Sequence, residues 1–429
     1  MSKVTWSSQL TRFTMLVFLV LLALGQLQRV RLGLHLRFSM HEIIMLGFMI
    51  LSLCSWNGLK KQVRILWIEQ KRFVLSLGTV FIAILISLLF HTNNPSLLTG
   101  MLYFLRFILY MLFPLSLLVF LREKIVQHQE LPQGMIALAL SFATLGLIQY
   151  VFLPDTRFLL SYGWDNHYFR LISTLLDPPF TAAIISVGLL LLQPLISFSR
   201  EKRVVLFLIS ILLLSLALTY SRAGYLAFGA SSVLLAVLMK QPKQFLLPLM
   251  LALMIPFLPR PASEGARLER TASIFRRIED TTQAIVIPRS LVFFTGQGWY
   301  LPQAQRENDQ DATIPSHSSA PTNSYVMIWQ FTGLIGLLAF GWLAVEFYRI
   351  IQPTPVLVSI YTMILVGAIF NNLLFYPWIM LLMGWILVVQ LGLKQNDPFK
   401  LSAISSWIHR IEQQCILTFR KLKNTRKIT

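Results

Sequence analysis

Apolar runs separated by short polar or charged joints recur along the whole chain, near 13–28, 40–56, 73–91, 97–121, 135–153, 179–198, 204–220, 223–239, 244–258, 325–348, 355–371 and 374–393. A helix needs about 20 apolar residues to cross a bilayer, and shorter ones can be tilted or buried in a bundle. The pattern predicts an all-α integral membrane protein with about twelve transmembrane helices. One interruption is long: residues 259–324 are polar enough to form an extracytoplasmic loop with short helices. The expected organisation is nine helices in 1–258, that loop, helices ten to twelve in 325–393, and a basic tail in 394–429.

Composition agrees with this pattern. Of 429 residues 55% are hydrophobic and 13% charged, which excludes a soluble globular domain of this length. The formal net charge of +19 is spread over the joints and the tail, a topology signal and an attraction to anionic lipid rather than a nucleic-acid footprint. Lys60, Lys61, Arg64, Lys71 and Arg72, then Arg122, Lys124, Arg200, Lys202, Arg203, Lys240 and Lys243, alternate with joints poorer in Lys and Arg. Both termini are therefore expected in the cytoplasm, and 154–178, 219–225 and 259–324 on the outer face. The first run, although followed by the signal-like Ala23-Leu24-Gly25, is read as a retained helix. Cys54 and Cys415 imply neither a disulfide framework nor a metal site.

Polar groups inside apolar sequence are functional candidates, because a charge in a span is costly. Arg222 interrupts the run 211–239 at Thr219-Tyr220-Ser221-Arg222-Ala223-Gly224-Tyr225. It serves either a polar cavity or a hairpin whose arginine snorkels to headgroups. Arg106 lies inside the fourth run, where it could join Arg222 in one cationic pocket, or pair with a carbonyl or an acid such as Glu42.

The outer joint Gly163-Trp164-Asp165-Asn166-His167-Tyr168-Phe169-Arg170 interleaves aromatic and polar groups, as does a surface that stacks on sugar rings or an interfacial aromatic belt. Asp177-Pro178 reads as a helix start. In the long loop all positive charge is arginine, including Arg276, Arg277 and Arg289, which suits bidentate grip on phosphate or carboxylate, or rests on lipid headgroups. Its one histidine, His317, is a candidate general base or a solvated side chain. Asp309 and Asp311 read as a solvated acidic stretch, so no metal and no cofactor is expected.

Several of these stretches together resemble the O-antigen ligase and polymerase family of bacterial envelope glycosyltransferases. The resemblance rests on Ser221-Arg222-Ala223-Gly224 after an apolar helix, Gly146-Leu147-Ile148-Gln149-Tyr150 leading to Gly163-Trp164-Asp165, and Arg170 to Asp177-Pro178. It also takes in Gly296-Gln297-Gly298, and Asn323-Ser324-Tyr325 opening a helix with Gly333-Leu334-Ile335-Gly336.

The resemblance implies a C-type glycosyltransferase fold in the bacterial cytoplasmic membrane, moving a glycan from undecaprenyl diphosphate to a glycan, lipid or protein acceptor on the outer face. It implies that Arg222 and one of Arg276 and Arg277 hold the diphosphate. Arg289 and Arg106 are expected to assist, His317 or Asp165 to take the proton, and Trp164, Tyr168, Arg170 and Asn323 to contact substrate. Where the family has His-Asn before the tyrosine, this chain has Thr322-Asn323. Ligase and polymerase fit equally, and a transporter of lipid-linked glycan would also need intramembrane arginines.

Overall fold

The computed structural model describes residues 2–32, 36–162, 164–198, 202–259, 282, 291–302, 321–393, 404–410 and 413. They form a helical bundle, opened by α1 (Ser2–Ala23) and a two-stranded hairpin, β1 (Arg29–Leu32) and β2 (Leu36–Ser39), paired antiparallel with Arg29 opposite Ser39. The chain continues through α2 (Met40–Cys54), α3 (Trp56–Glu69), α4 (Lys71–Leu89), α5 (Leu97–Arg122), α6 (Glu130–Phe152) and α7 (Pro178–Leu192). Then come α8 (Lys202–Leu218), α9 (Arg222–Met239), α10 (Leu246–Met254), the short α11 (Val292–Thr295), α12 (Ser324–Ile351), α13 (Pro355–Phe370) and α14 (Pro377–Gly392).

Among the described residues six helices are long and apolar enough to cross a membrane, or seven if the bent pair α2–α3 is one span. Shorter apolar helices include 355–370 and 377–392. By helix composition this is a multi-pass membrane protein; of the expected twelve spans, six or seven pass on length and composition among the described residues.

Apolarity decides position in the bundle. α7 is apolar on every side, and all of Pro178–Leu192 except Pro179 is buried, between α6, α8, α9 and α13. A helix without a polar face belongs in the middle. α4 lies along α12, α9 along α13, and α14 along α5.

α3 differs: it runs at 98° to α2 and carries Lys60, Lys61 and Arg64 with exposed Trp56, Val63, Trp67 and Ile68. Lys60 lies 5.1 Å over the Trp56 ring and Lys71 5.8 Å over Trp67. This amphipathic elbow escaped the sequence reading because its apolar stripe is too sparse to register as a run.

α12 is bent at Gly333, where φ is +60° and ψ −158°. Such a backbone is accessible to glycine and strained for any other residue. The turn Gly296-Gln297-Gly298 fills the bend: Gln297 N–H donates to the Gln330 carbonyl at 2.8 Å, and a Cβ on Gly333 would stand 2.6 Å from Gly296 N. Residues 291–302 of the long loop therefore lie against the helices, with Trp299 and Leu301 wholly buried. The tail also docks. Residues 404–410 are helical, and Ile404 and Ile408, one turn apart, are buried in the core cluster.

Candidate functional site

At the Ser221-Arg222 break, α8 ends, Tyr220 takes a positive φ of +51°, and α9 begins with Ser221 as cap, its Oγ accepting from Gly224 N–H at 3.1 Å. Thr219 and Tyr220 N–H donate to the Leu216 and Ala217 carbonyls at 3.2 Å each, and the later carbonyls of the break need other donors. Tyr225 Oη donates to the Ala217 carbonyl, and Leu171 N–H to the Leu218 carbonyl at 2.9 Å. Arg170 supplies the rest: Nε donates to the Thr219 carbonyl at 3.2 Å and Nη2 to that of Tyr220 at 3.4 Å. Arg170 is thus buried as a clamp, holding the aromatic joint 154–178 to the break. Arg222 occupies the first position of α9, half-buried. Gly224 packs against Ala182 on the first turns of α7.

Two residues before Ala182 is Phe180, which lines a cavity of about 130 Å³. Here the hairpin, α5, α7, the 299–300 turn and the start of α14 converge. Arg29 and Ser39, facing each other across the hairpin, and Arg106 of α5 supply polar wall, with Gln26, Asn372 and Tyr376. Two stacked pairs frame it: Tyr103 on Tyr300, centroids 4.2 Å apart and planes within 2°, and Phe180 on Tyr376, 3.7 Å and 6°.

Arg106 is held from behind: Nε donates to Glu42 Oε1 at 2.5 Å. Glu42 also accepts from Tyr110 Oη at 2.8 Å and, through Oε2, from Ser39 N–H at 3.1 Å. His41 Nε2 meets the same Tyr110 hydroxyl at 2.8 Å. A carboxylate with that many donors offsets the cost of burying the guanidinium. Of the partners weighed for Arg106, the structure selects Glu42. Trp299, whose buried indole N–H has no hydrogen-bond partner among the described residues, also lines the cavity. A buried donor left unmade costs about 1–3 kcal/mol.

Compared with known proteins, the chain matches no family profile. It also matches no curated protein.

The expected site residues do not all come together. Arg106 lines the cavity; Arg170, bonded to the Thr219 and Tyr220 carbonyls, and Arg222, which opens α9, belong to the break and are not among the cavity's lining residues. In the aromatic joint Trp164 has Arg29 5.8 Å over its ring, so one cation touches both the joint and the cavity. Tyr168 has Arg157 4.9 Å over its ring. Arg157 also pairs with Asp155 at 2.6 Å, and its hydrogen bonds hold the Asp155 carboxyl below its ordinary range. Asp165 is exposed. Asn323 caps α12, its Oδ1 accepting from Tyr325 and Val326 N–H at 2.8 and 3.3 Å. Asp177 precedes α7 as expected, but its carboxylate does not cap it. Arg276, Arg277, Arg289 and His317 lie outside the described residues.

Sequence reasoning missed Arg29, Tyr103, Tyr300, Asn372 and Tyr376. Arg29 looked like a topology charge in a short joint, and only its pairing opposite Ser39 gives it another role. No group of three or more His, Cys, Asp or Glu side chains suited to a metal occurs among the described residues.

Proposed function

We propose that this protein is a membrane glycosyltransferase that moves a glycan from a polyprenyl diphosphate carrier, undecaprenyl diphosphate in the resembled family, to an acceptor hydroxyl at the outer face of the membrane. The observation that carries the reading is Arg29, which joins Trp164 of the aromatic joint to the polar cavity holding Arg106, beside the Arg222 break. Stacking surfaces for sugar rings thereby adjoin fixed guanidinium groups suited to a diphosphate. The motif order described above supports the same reading.

In the proposed reaction an acceptor oxygen attacks the anomeric carbon from the face opposite the leaving group. The new carbon–oxygen bond forms as the bond to the diphosphate oxygen breaks, inverting the centre. The hydroxyl proton passes to a base, His317 or Asp165, and the lipid diphosphate leaves with the bonding electrons. Preorganised arginines stabilise that developing charge and are worth most where it appears. Arg106 is preorganised by Glu42, and Arg222 by the capped start of α9.

The test is transfer in reconstituted vesicles from a lipid-diphosphate oligosaccharide, comparing the native chain with Arg222→Ala and Arg106→Ala. Transfer that falls at least a hundredfold in both variants supports the reading, and the product's size ladder separates chain polymerisation from single transfer. Movement of the lipid across the bilayer without a new glycosidic bond overturns it in favour of a transporter.

A further inference from the structure

A second cavity, of about 170 Å³ and almost wholly apolar, lies between α4, α5, α12, α13 and α14. It shares three wall residues with the arginine cavity: Phe107, Met380 and Phe375. The two spaces are back to back, one carrying guanidinium and amide groups, the other mostly hydrocarbon, its three tyrosines Tyr110, Tyr325 and Tyr361 having their hydroxyls bonded to Glu42 and to the Leu365 and Ala344 carbonyls. At its far side the apolar space reaches the outside of the bundle at Gly341, which is exposed between exposed Leu338, Trp342 and Val345 of α12. A Cβ built on Gly341 meets nothing within 4 Å, so the gap there is not closed by a neighbouring side chain.

We propose that the two cavities form one site for a phosphorylated lipid, with the phosphate against Arg106 and Arg29 and the first stretch of the hydrocarbon chain in the apolar cavity, leaving the bundle at Gly341. The polarity step across Phe107, Met380 and Phe375 matches the step in an amphiphile from headgroup to chain. The charged groups of the polar cavity's lining are Arg29 and Arg106, the latter held through Nε by Glu42, and guanidinium donors of this kind suit phosphate oxygens. A cavity of this size holds only part of a membrane lipid, and the apolar surface around Gly341 lets the rest remain in the bilayer. A polyprenyl phosphate or diphosphate and a bulk anionic phospholipid share this chemistry. The identity of the lipid as a glycan donor rests on the reading above; its binding does not.

The experiment is equilibrium binding of farnesyl phosphate to the purified full chain in detergent, with farnesol and inorganic phosphate as the two half-ligands. The native chain should bind farnesyl phosphate at least tenfold more tightly than either half. Gly341→Leu, which fills the apolar space from its open edge, should weaken it about tenfold while leaving the unfolding temperature unchanged. Ala344→Met, lining the same space, serves if the first variant does not fold. Arg106→Gln should abolish the preference for farnesyl phosphate over farnesol. Competition by a long polyprenyl phosphate but not by phosphatidylglycerol assigns the site to a carrier lipid; equal competition assigns it to bulk phospholipid. Farnesyl phosphate bound equally by the native chain and by a folded cavity-filling variant overturns the proposal. Binding as predicted without glycan transfer leaves this site standing and sinks the transferase reading alone.

Discussion

Glu42 and Arg106 show how one residue pair sets the character of the site. Glu42 is 8% and Arg106 19% exposed at the side chain, and their bond is reinforced by Tyr110 and by the backbone of Ser39. Removing one partner of such a pair typically costs about 3–5 kcal/mol, because the other charge remains buried without compensation. Glu42→Gln is therefore expected to destabilise the folded protein by about that amount in detergent unfolding. The double variant Glu42→Gln/Arg106→Gln should recover part of the loss, and strict additivity of the two single losses would show that the pair is not coupled. Arg106→Lys keeps the charge but loses the planar fork, so it should retain most stability while transfer falls about tenfold or more.

Arg106 was visible in the sequence as an intramembrane charge; that its partner is Glu42 was one of several open choices. Only the fold could bring together residues 64 positions apart and a hydroxyl further along α5.

At the scale of elements, the joint between the Gly296-Gln297-Gly298 turn and the bend at Gly333 is the most demanding. All three glycines have positive φ, and the backbones of Gly296 and Gly333 approach so closely that a Cβ on Gly333 would stand 2.6 Å from Gly296 N. Gly333→Ala introduces strain of about 1–3 kcal/mol from the backbone alone, and a Cβ 2.5 Å from the Phe294 carbonyl carbon adds to it. The expected outcome is a lower unfolding temperature and earlier proteolysis within 291–302. An Ala variant as stable as the native chain would show that the bend is not required. The turn itself was legible as a glycine motif. Its destination was not, since a polar loop is read by composition as lying outside, whereas Trp299 and Leu301 carry it into the aromatic cluster around Phe107, Phe340 and Phe375.

For the whole molecule, the apolar runs were enough to predict an all-α membrane protein, because length and hydropathy act over whole segments. Elements of low or mixed hydropathy were lost: α3 and the β1–β2 hairpin left no run, yet one makes the elbow and the other delivers Arg29. The tail was legible as a basic segment, and its described part puts Ile404 and Ile408 into the bundle core. Ile404→Asp/Ile408→Asp should release it, exposing the basic segment to trypsin at concentrations that leave the native tail intact. Unchanged cleavage would show that the docking adds no protection.

The glycine joint in α12 has a mechanical side as well. From Gly333 the helix continues 18 residues to Ile351, about 27 Å at 1.5 Å per residue. By geometry alone, a tilt of about 5° at the bend would displace the far tip by about 2 Å over that length. The turn at 296–298 is the seat of that bend. Gly341 lies about 12 Å beyond that seat, so the same tilt would move the open edge by about 1 Å with no side chain changing rotamer.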